Sequence, residues 1–144
     1  MTKGRTFLLG MAFIALLLAG GVRAEECGSP RIDEATRKYS VELRGASGME
    51  DQSFDDMGCA VQSRNNECAT RQGIFDSNAR TWDHATGEQV PVEKAYFVLR
   101  TDVQTPKGFG IVAFKDKAQA EAFSEAHGKG KVIKWYQLVD EPLR

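Results

Sequence analysis

Phe109-Gly-Ile-Val-Ala-Phe114 contains no polar side chain. A strand without polar alternation is buried on both faces, so it needs a layer of structure on each side. The neighbouring sequence supplies those layers. Lys94-Ala-Tyr-Phe-Val-Leu-Arg100 is rich in aromatic and branched residues and reads as a partner strand. Thr101 to Lys107 contains Pro106 and runs into Gly108, so it reads as a loop. Asp116 caps a helix, with Gln119 three residues on in the capping-box position. Ala118, Ala122, Phe123 and Ala126 share one side of that helix, which runs to about His127 and stops at Gly128. Lys131-Val-Ile-Lys-Trp-Tyr136 is a third strand. The unit is strand, strand, helix, strand.

The preceding segment carries the same pattern more faintly. Tyr39-Ser-Val-Glu-Leu43 alternates as a half-buried strand does, and Gly45 to Gly48 form a turn. Ser53 and Asp56 make a capping-box signature before an apolar stripe, which predicts a helix over Phe54 to Arg64 ending at Asn65-Asn66. Gly73 to Trp82 reads as extended, Thr86-Gly87 as a turn, and Val90-Pro91-Val92 as the lead into the next strand. The class is therefore α+β: two strand-strand-helix-strand units packed into one small domain over residues 38–144, with a duplication of pattern and no residue-level repeat.

The first 24 residues have a different character. Lys3, Arg5 and Arg23 bracket an apolar run from Phe7 to Ala19, and no acid is present. A basic start, a short apolar run and small residues before Ala24 are the signature of a secretory signal peptide. The run is short for a membrane span, and no second one follows, so the mature protein is not expected to span a membrane. Without the leader, 16 Lys and Arg face 20 Asp and Glu, a net charge of −4. That balance argues against a nucleic-acid partner, because phosphate affinity needs clustered basic residues. Residues 25–37 read as a short mobile leader. Glu25 and Glu26 before Cys27 do not suit lipoprotein processing, so the expected location is the periplasm without a lipid anchor.

Export to an oxidising compartment makes the cysteine count important. Cys27, Cys59 and Cys68 are three, so at most one intramolecular bridge forms and one thiol is left over. A disulfide between Cys59 and Cys68, across the Asn65-Asn66 turn, stands at even odds with two free thiols. Met49, Met57 and Cys59 are soft donors of the kind that select cuprous copper. Helical spacing places Met57 with Phe54 and Val61 on a core face and turns Cys59 away from it. Met49 lies in a polar, Gly-rich loop as a lone exposed thioether. His84 falls in a turn, Trp82-Asp-His-Ala-Thr-Gly87, and His127 precedes a helix stop. Each is a weaker ligand candidate with an ordinary structural explanation. Cys-x-x-Cys, Cys-x-x-Cys-His, Gly-x-Ser-x-Gly and His-Glu-x-x-His are all absent.

Five segments then occur in a distinctive order: Phe54-Asp-Asp-Met-Gly-Cys59, Trp82-Asp-His-Ala-Thr-Gly-Glu88, Ala95-Tyr-Phe-Val98, Thr105-Pro-Lys-Gly-Phe-Gly-Ile-Val-Ala-Phe114 and Ala120-Glu-Ala-Phe-Ser-Glu-Ala-His-Gly128. Together they resemble the NosL family, accessory proteins of nitrous oxide reductase, over about Gln52 to Leu138. The resemblance implies paired strand-strand-helix-strand units akin to the organomercury lyase fold. It also implies a periplasmic protein, not an enzyme, that binds Cu(I) and delivers it to nitrous oxide reductase or another periplasmic copper protein. Family members usually carry Cys-Gly-Met near the mature N-terminus and Met after Thr-Pro. Here Cys27-Gly28 is followed by Ser29, and Lys107 follows Thr105-Pro106. The ligand set implied is Cys27, Cys59 and Met49, with Met57, Cys68 and His84 as further candidates. Two other readings accompany it. One is a non-metal interaction module with a structural Cys59–Cys68 bridge. The other, by fold analogy alone, is a carbon–metal lyase using Cys59, Cys68 and Asp55 or Asp56.

Overall fold

The structure, a computed structural model, describes residues 27–28 and 31–143. Residues 1–24, the segment expected to be a signal peptide, lie outside the described residues. None of the described helices is long and apolar enough to cross a membrane.

Two antiparallel sheets form the frame. The first has the order β2-β1-β3-β4, from β1 (Val41–Leu43), β2 (Gln52–Phe54), β3 (Arg80–Trp82) and β4 (Gln89–Pro91). The second has the order β6-β5-β7, from β5 (Tyr96–Val98), β6 (Val112–Phe114) and β7 (Val132–Lys134). In each unit the first strand is central, flanked antiparallel by the second and third strands of that unit. The expected duplication is therefore one of topology. Helices α1 (Met57–Asn65) and α2 (Ala69–Asn78) lie between β2 and β3, α3 (Lys117–Ala126) lies between β6 and β7, and α4 (Trp135–Leu138) follows β7.

Strand alternation explains why the second sheet is apolar on both sides. Phe97, Ala113 and Ile133 point into the central core shared with the first sheet. Their neighbours Val98, Val112, Phe114 and Val132 point the other way, into a smaller cluster with Ala120 and Phe123 of α3. Asp116 caps α3 by accepting from Gln119 N at 2.9 Å, as its sequence position predicts.

One expectation is overturned in the first unit. Residues 73–82 are not continuously extended: 69–78 form α2, and only Arg80–Trp82 is strand. The helix has a single anchor, Phe75, which is fully buried, so its apolar stripe is too narrow to show as a period in sequence. Its other fastenings are polar. Asp76 accepts from Arg64 Nε at 2.9 Å and from Trp135 Nε1 at 2.7 Å, which ties α1, α2 and α4 together.

The start of α1 is built on Asp56, which is completely buried. Its Oδ1 accepts from Gly58 N at 3.1 Å as a helix cap. Its Oδ2 accepts from Thr105 Oγ1 at 2.7 Å and from Lys107 N at 2.8 Å. One carboxylate thus fastens the 101–110 loop of the second unit to the first helix of the first unit. Phe109 of that loop lies against Gly58 so closely that any Cβ there would overlap its ring.

His84 sits where the β3–β4 turn meets the second sheet. Its N–H donates to Ala113 O at 2.8 Å, and its ring is faced by Tyr39, Phe114 and Phe123. It is half-buried rather than simply solvated, and its Nδ1 is buried without a hydrogen-bond partner. His127 stacks on Phe123 at 4.1 Å and meets Asp102 Oδ1 through Nδ1 at 2.8 Å. Burial holds the His84 pKa below its ordinary 6.5, with Lys38 and His127 adding to the effect and Asp83 opposing it.

Two outcomes follow from this packing. Asp56→Ala removes the carboxylate that accepts from two buried donors and one part-buried donor, and is expected to cost about 3 kcal/mol, read as a lower urea midpoint with an unchanged m-value. For His84, the folded pKa is lowered, so the stability it contributes is fully present above 6.5 and is lost as pH falls through the lower folded value. His84→Phe keeps an aromatic ring in the cage without a titrating group. It is expected to lessen the drop in urea midpoint between pH 7 and pH 5. An unchanged drop would show that other groups govern the acid limb.

Candidate functional site: a sulfur pair in a polar cleft

Capping by Asp56 sets the rotation of α1, and that rotation decides which residues line the surface cleft beside it. Cys59, Gln62, Ser63 and Asn66 follow at spacings of three, four and seven, which places them along one face. Gln52 and Phe54 of β2 form the opposite wall, and Cys27 completes the lining of a cleft of about 360 Å³. Ser63 Oγ donates to Gln52 Oε1 at 2.6 Å and so joins the helix to the strand across the cleft.

Cys27 and Cys59 are bonded to each other, with Cα atoms 5.3 Å apart and a sequence separation of 32. This corrects the expected Cys59–Cys68 bridge. Cys59 lies in the first turn of α1, whereas Cys68 stands beyond the far end of that helix as the N-cap of α2. From residue 59 to the end of α1 the axis rises about 9 Å, beyond the usual Cα separation of a disulfide. Cys68 is instead a free, exposed thiol. In the chain-entropy picture, a bridge closing a loop of this length restricts the unfolded chain by about 3–4 kcal/mol.

The two bonded sulfurs differ in their surroundings. Cys59 is 1% exposed, while Cys27 is half-buried against the edge of the core. Gln62 Oε1 lies 3.7 Å from Cys27 Sγ. A disulfide sulfur carries no proton, so this is a contact; with Cys27 reduced, its S–H has an acceptor in place. The first turn of α1 favours negative charge, and the Asp56 carboxylate partly offsets that at the same helix end.

The other candidates are placed as follows. Met57 is fully buried in the core, as its helical spacing implies. Cys59 is buried as well, contrary to the expectation that it turns away from the core. Met57 to Val61 are all enclosed, because Phe109 and β2 cover the first half of α1 from several sides. Met49 is half-buried against the core rather than exposed, in the loop between β1 and β2, and it does not line the cleft. Neither do Cys68 and His84. Among the described residues, no cluster of three or more His, Cys, Asp and Glu is arranged to hold a metal. The lyase reading needs two thiols and a carboxylate in one pocket. Here Cys59 is bonded to Cys27, Cys68 is exposed, and Asp56 is committed to three structural donors.

Sequence reasoning missed the amide lining of the cleft, Gln52, Gln62 and Asn66. The only signal for the helical pair was their shared face with Cys59. The cleft has neighbours. It shares Gln62 and Asn66 with a neighbouring hollow that also touches Asn65, Glu141 and Leu143. That hollow in turn shares Glu141 and Leu143 with a third, of about 440 Å³, beside Arg100 and Phe109. Glu141 and Leu143 of the C-terminal segment thus border both of those hollows.

Comparison with known proteins agrees with this architecture. No curated protein matches the chain with significant similarity. Among solved structures, the crystal structure of the copper chaperone NosL from Shewanella denitrificans matches with a TM-score of 0.59 and 19% identity, over 73% of this chain and 78% of that one. That likeness is one of fold. The sequence model of the NosL family matches residues 40–143, from the start of β1 through the C-terminal segment. The chain belongs to the NosL family.

Proposed function

We propose that this chain is an accessory protein that carries one Cu(I) ion between Cys27 and Cys59 and hands it to a periplasmic copper enzyme. The recipient in this reading is nitrous oxide reductase. The observation that carries the proposal is the meeting of those two cysteines, 32 residues apart, in an open cleft. The crystal structure of a copper chaperone with this fold supports it. Periplasmic location rests on the leader pattern of residues 1–24.

The chemistry suits a cargo ion. Thiolates are soft donors that prefer Cu(I), and two sulfurs already within bonding reach need little rearrangement to take one ion between them. The bonded pair must first be opened. Two electrons and two protons give two thiols, and Cu(I) binding then displaces protons from sulfur. A two-coordinate ion leaves room for an incoming sulfur or nitrogen donor from the recipient, so transfer proceeds by ligand exchange. Met49 is the third donor that the sequence offers, and the loop it occupies would have to turn it toward the cleft.

A second reading is favoured by the bond itself. With Cys27–Cys59 closed, one thiol remains, which is what a non-metal interaction module with a structural bridge expects. The pairing differs from the Cys59–Cys68 bridge first attached to that reading, but the logic is the same.

Copper titration separates the two. The reduced protein, titrated with Cu(I) against a competing chelator, is expected to bind one ion with sub-micromolar affinity. Cys27→Ser or Cys59→Ser is expected to weaken binding by at least about a hundredfold. Cys68→Ser should leave the affinity unchanged, and Met49→Ala should lower it by less than either ligand cysteine. Binding no tighter than micromolar in the reduced protein would leave the interaction module standing.

A further inference from the structure

We infer that the Cys27–Cys59 bond is a regulated gate opened by an external dithiol, and that the attack falls on Cys27 Sγ with Cys59 as the leaving thiolate. The inference deepens the copper-carrier reading, since it names how the same site is made ready, but its argument uses only the disulfide and its surroundings.

Thiol–disulfide exchange places three sulfurs nearly in line, the nucleophile entering opposite the sulfur that leaves. For attack on Cys27, the entry line runs from Cys59 through Cys27 and outward. Cys27 is half-buried at the surface, so it is the more accessible sulfur of the pair. For attack on Cys59, the entry line runs from Cys27 through Cys59 into the molecule. Cys59 also borders the cleft, but it is 1% exposed and sits in the enclosed first half of α1, so an incoming thiol has much less access to it. The two sulfurs of one bond are therefore kinetically distinct.

The surroundings also suit the product. Cys59 leaves as a thiolate within the first turn of α1, where the helix end favours negative charge. Cys27 is released beside Gln62 Oε1, an acceptor for its S–H. Gln62 and Asn66 border both the cleft and the hollow beside it, and present side-chain amides next to Cys27.

The balance is complete. The first thiolate of the dithiol forms a bond to Cys27 Sγ as the Cys27–Cys59 bond breaks, and the electron pair goes to Cys59. The second thiol of the reductant, as thiolate, attacks its own partner sulfur in the mixed disulfide and frees Cys27. The reductant ends as a disulfide, and the protein gains two electrons and, once both thiolates are protonated, two protons. One sulfur pair is oxidised and one reduced, with no further co-reactant.

The test traps the first step with a monothiol, which cannot complete the second. Oxidised protein carrying Cys68→Ser is exposed briefly to reduced glutathione without copper, quenched with acid, alkylated after unfolding, and mapped by mass spectrometry. At early times, glutathione is expected on Cys27 in at least about tenfold excess over Cys59. The same reaction in urea should show no such preference, because unfolding exposes both sulfurs equally. Equal labelling in the folded protein, or an excess on Cys59, would overturn the inference. Because no copper is present, that failure is separate from a failure of the copper titration.

Discussion

The Asp56 carboxylate is buried with three donors around it, one from the helix it caps and two from a loop of the other unit. Much of the site depends on this arrangement. A buried carboxylate without donors is strongly disfavoured, so the helix start and the loop must be present together. Once they are, Phe109 is held on Gly58 and the first half of α1 is closed over. That closure leaves Cys59 enclosed on the inner side of the bond, while Cys27 arrives from the surface. The difference between the two sulfurs is thus set from several residues away.

The two sheets divide the work. The second is a packed slab, apolar on both faces, with α3 on one side and the shared core on the other. The first is covered on one face by α1 and α2, and its outer face carries polar pairs such as Arg44 with Glu42. The cleft lies on the first unit, between α1 and β2. A carrier needs this combination: a rigid slab that fixes geometry, and an open edge at which donors can be exchanged.

How much of this was legible in sequence depended on how each element is buried. The limits of α3 were readable because Asp116 and Gly128 give a start and a stop, but its face was misread: Ala120 and Ser124 are buried with Phe123 beside them, whereas Ala118, Ala122 and Ala126 are exposed. The apolar run around Ile111 was readable because burial on both faces leaves no polar position. Helix α2 was not, because one phenylalanine and several polar ties hold it. The face argument for α1 succeeded at Met57 and failed at Cys59 for one reason. It assumed that a helix is buried lengthwise along a stripe, whereas α1 is buried at one end all round.

The sequence by itself determined that at least one thiol would be left over, because three cysteines cannot all pair within one chain. It determined the two-unit α+β plan through local periodicity and caps, which act over a few residues. Only the tertiary structure decided which cysteine is left over, since pairing depends on where segments 32 residues apart are brought together. The rise of α1 separates Cys59 from its near neighbour Cys68 and leaves it beside the distant Cys27. Local spacing cannot report that choice, because it is made by packing across the whole domain.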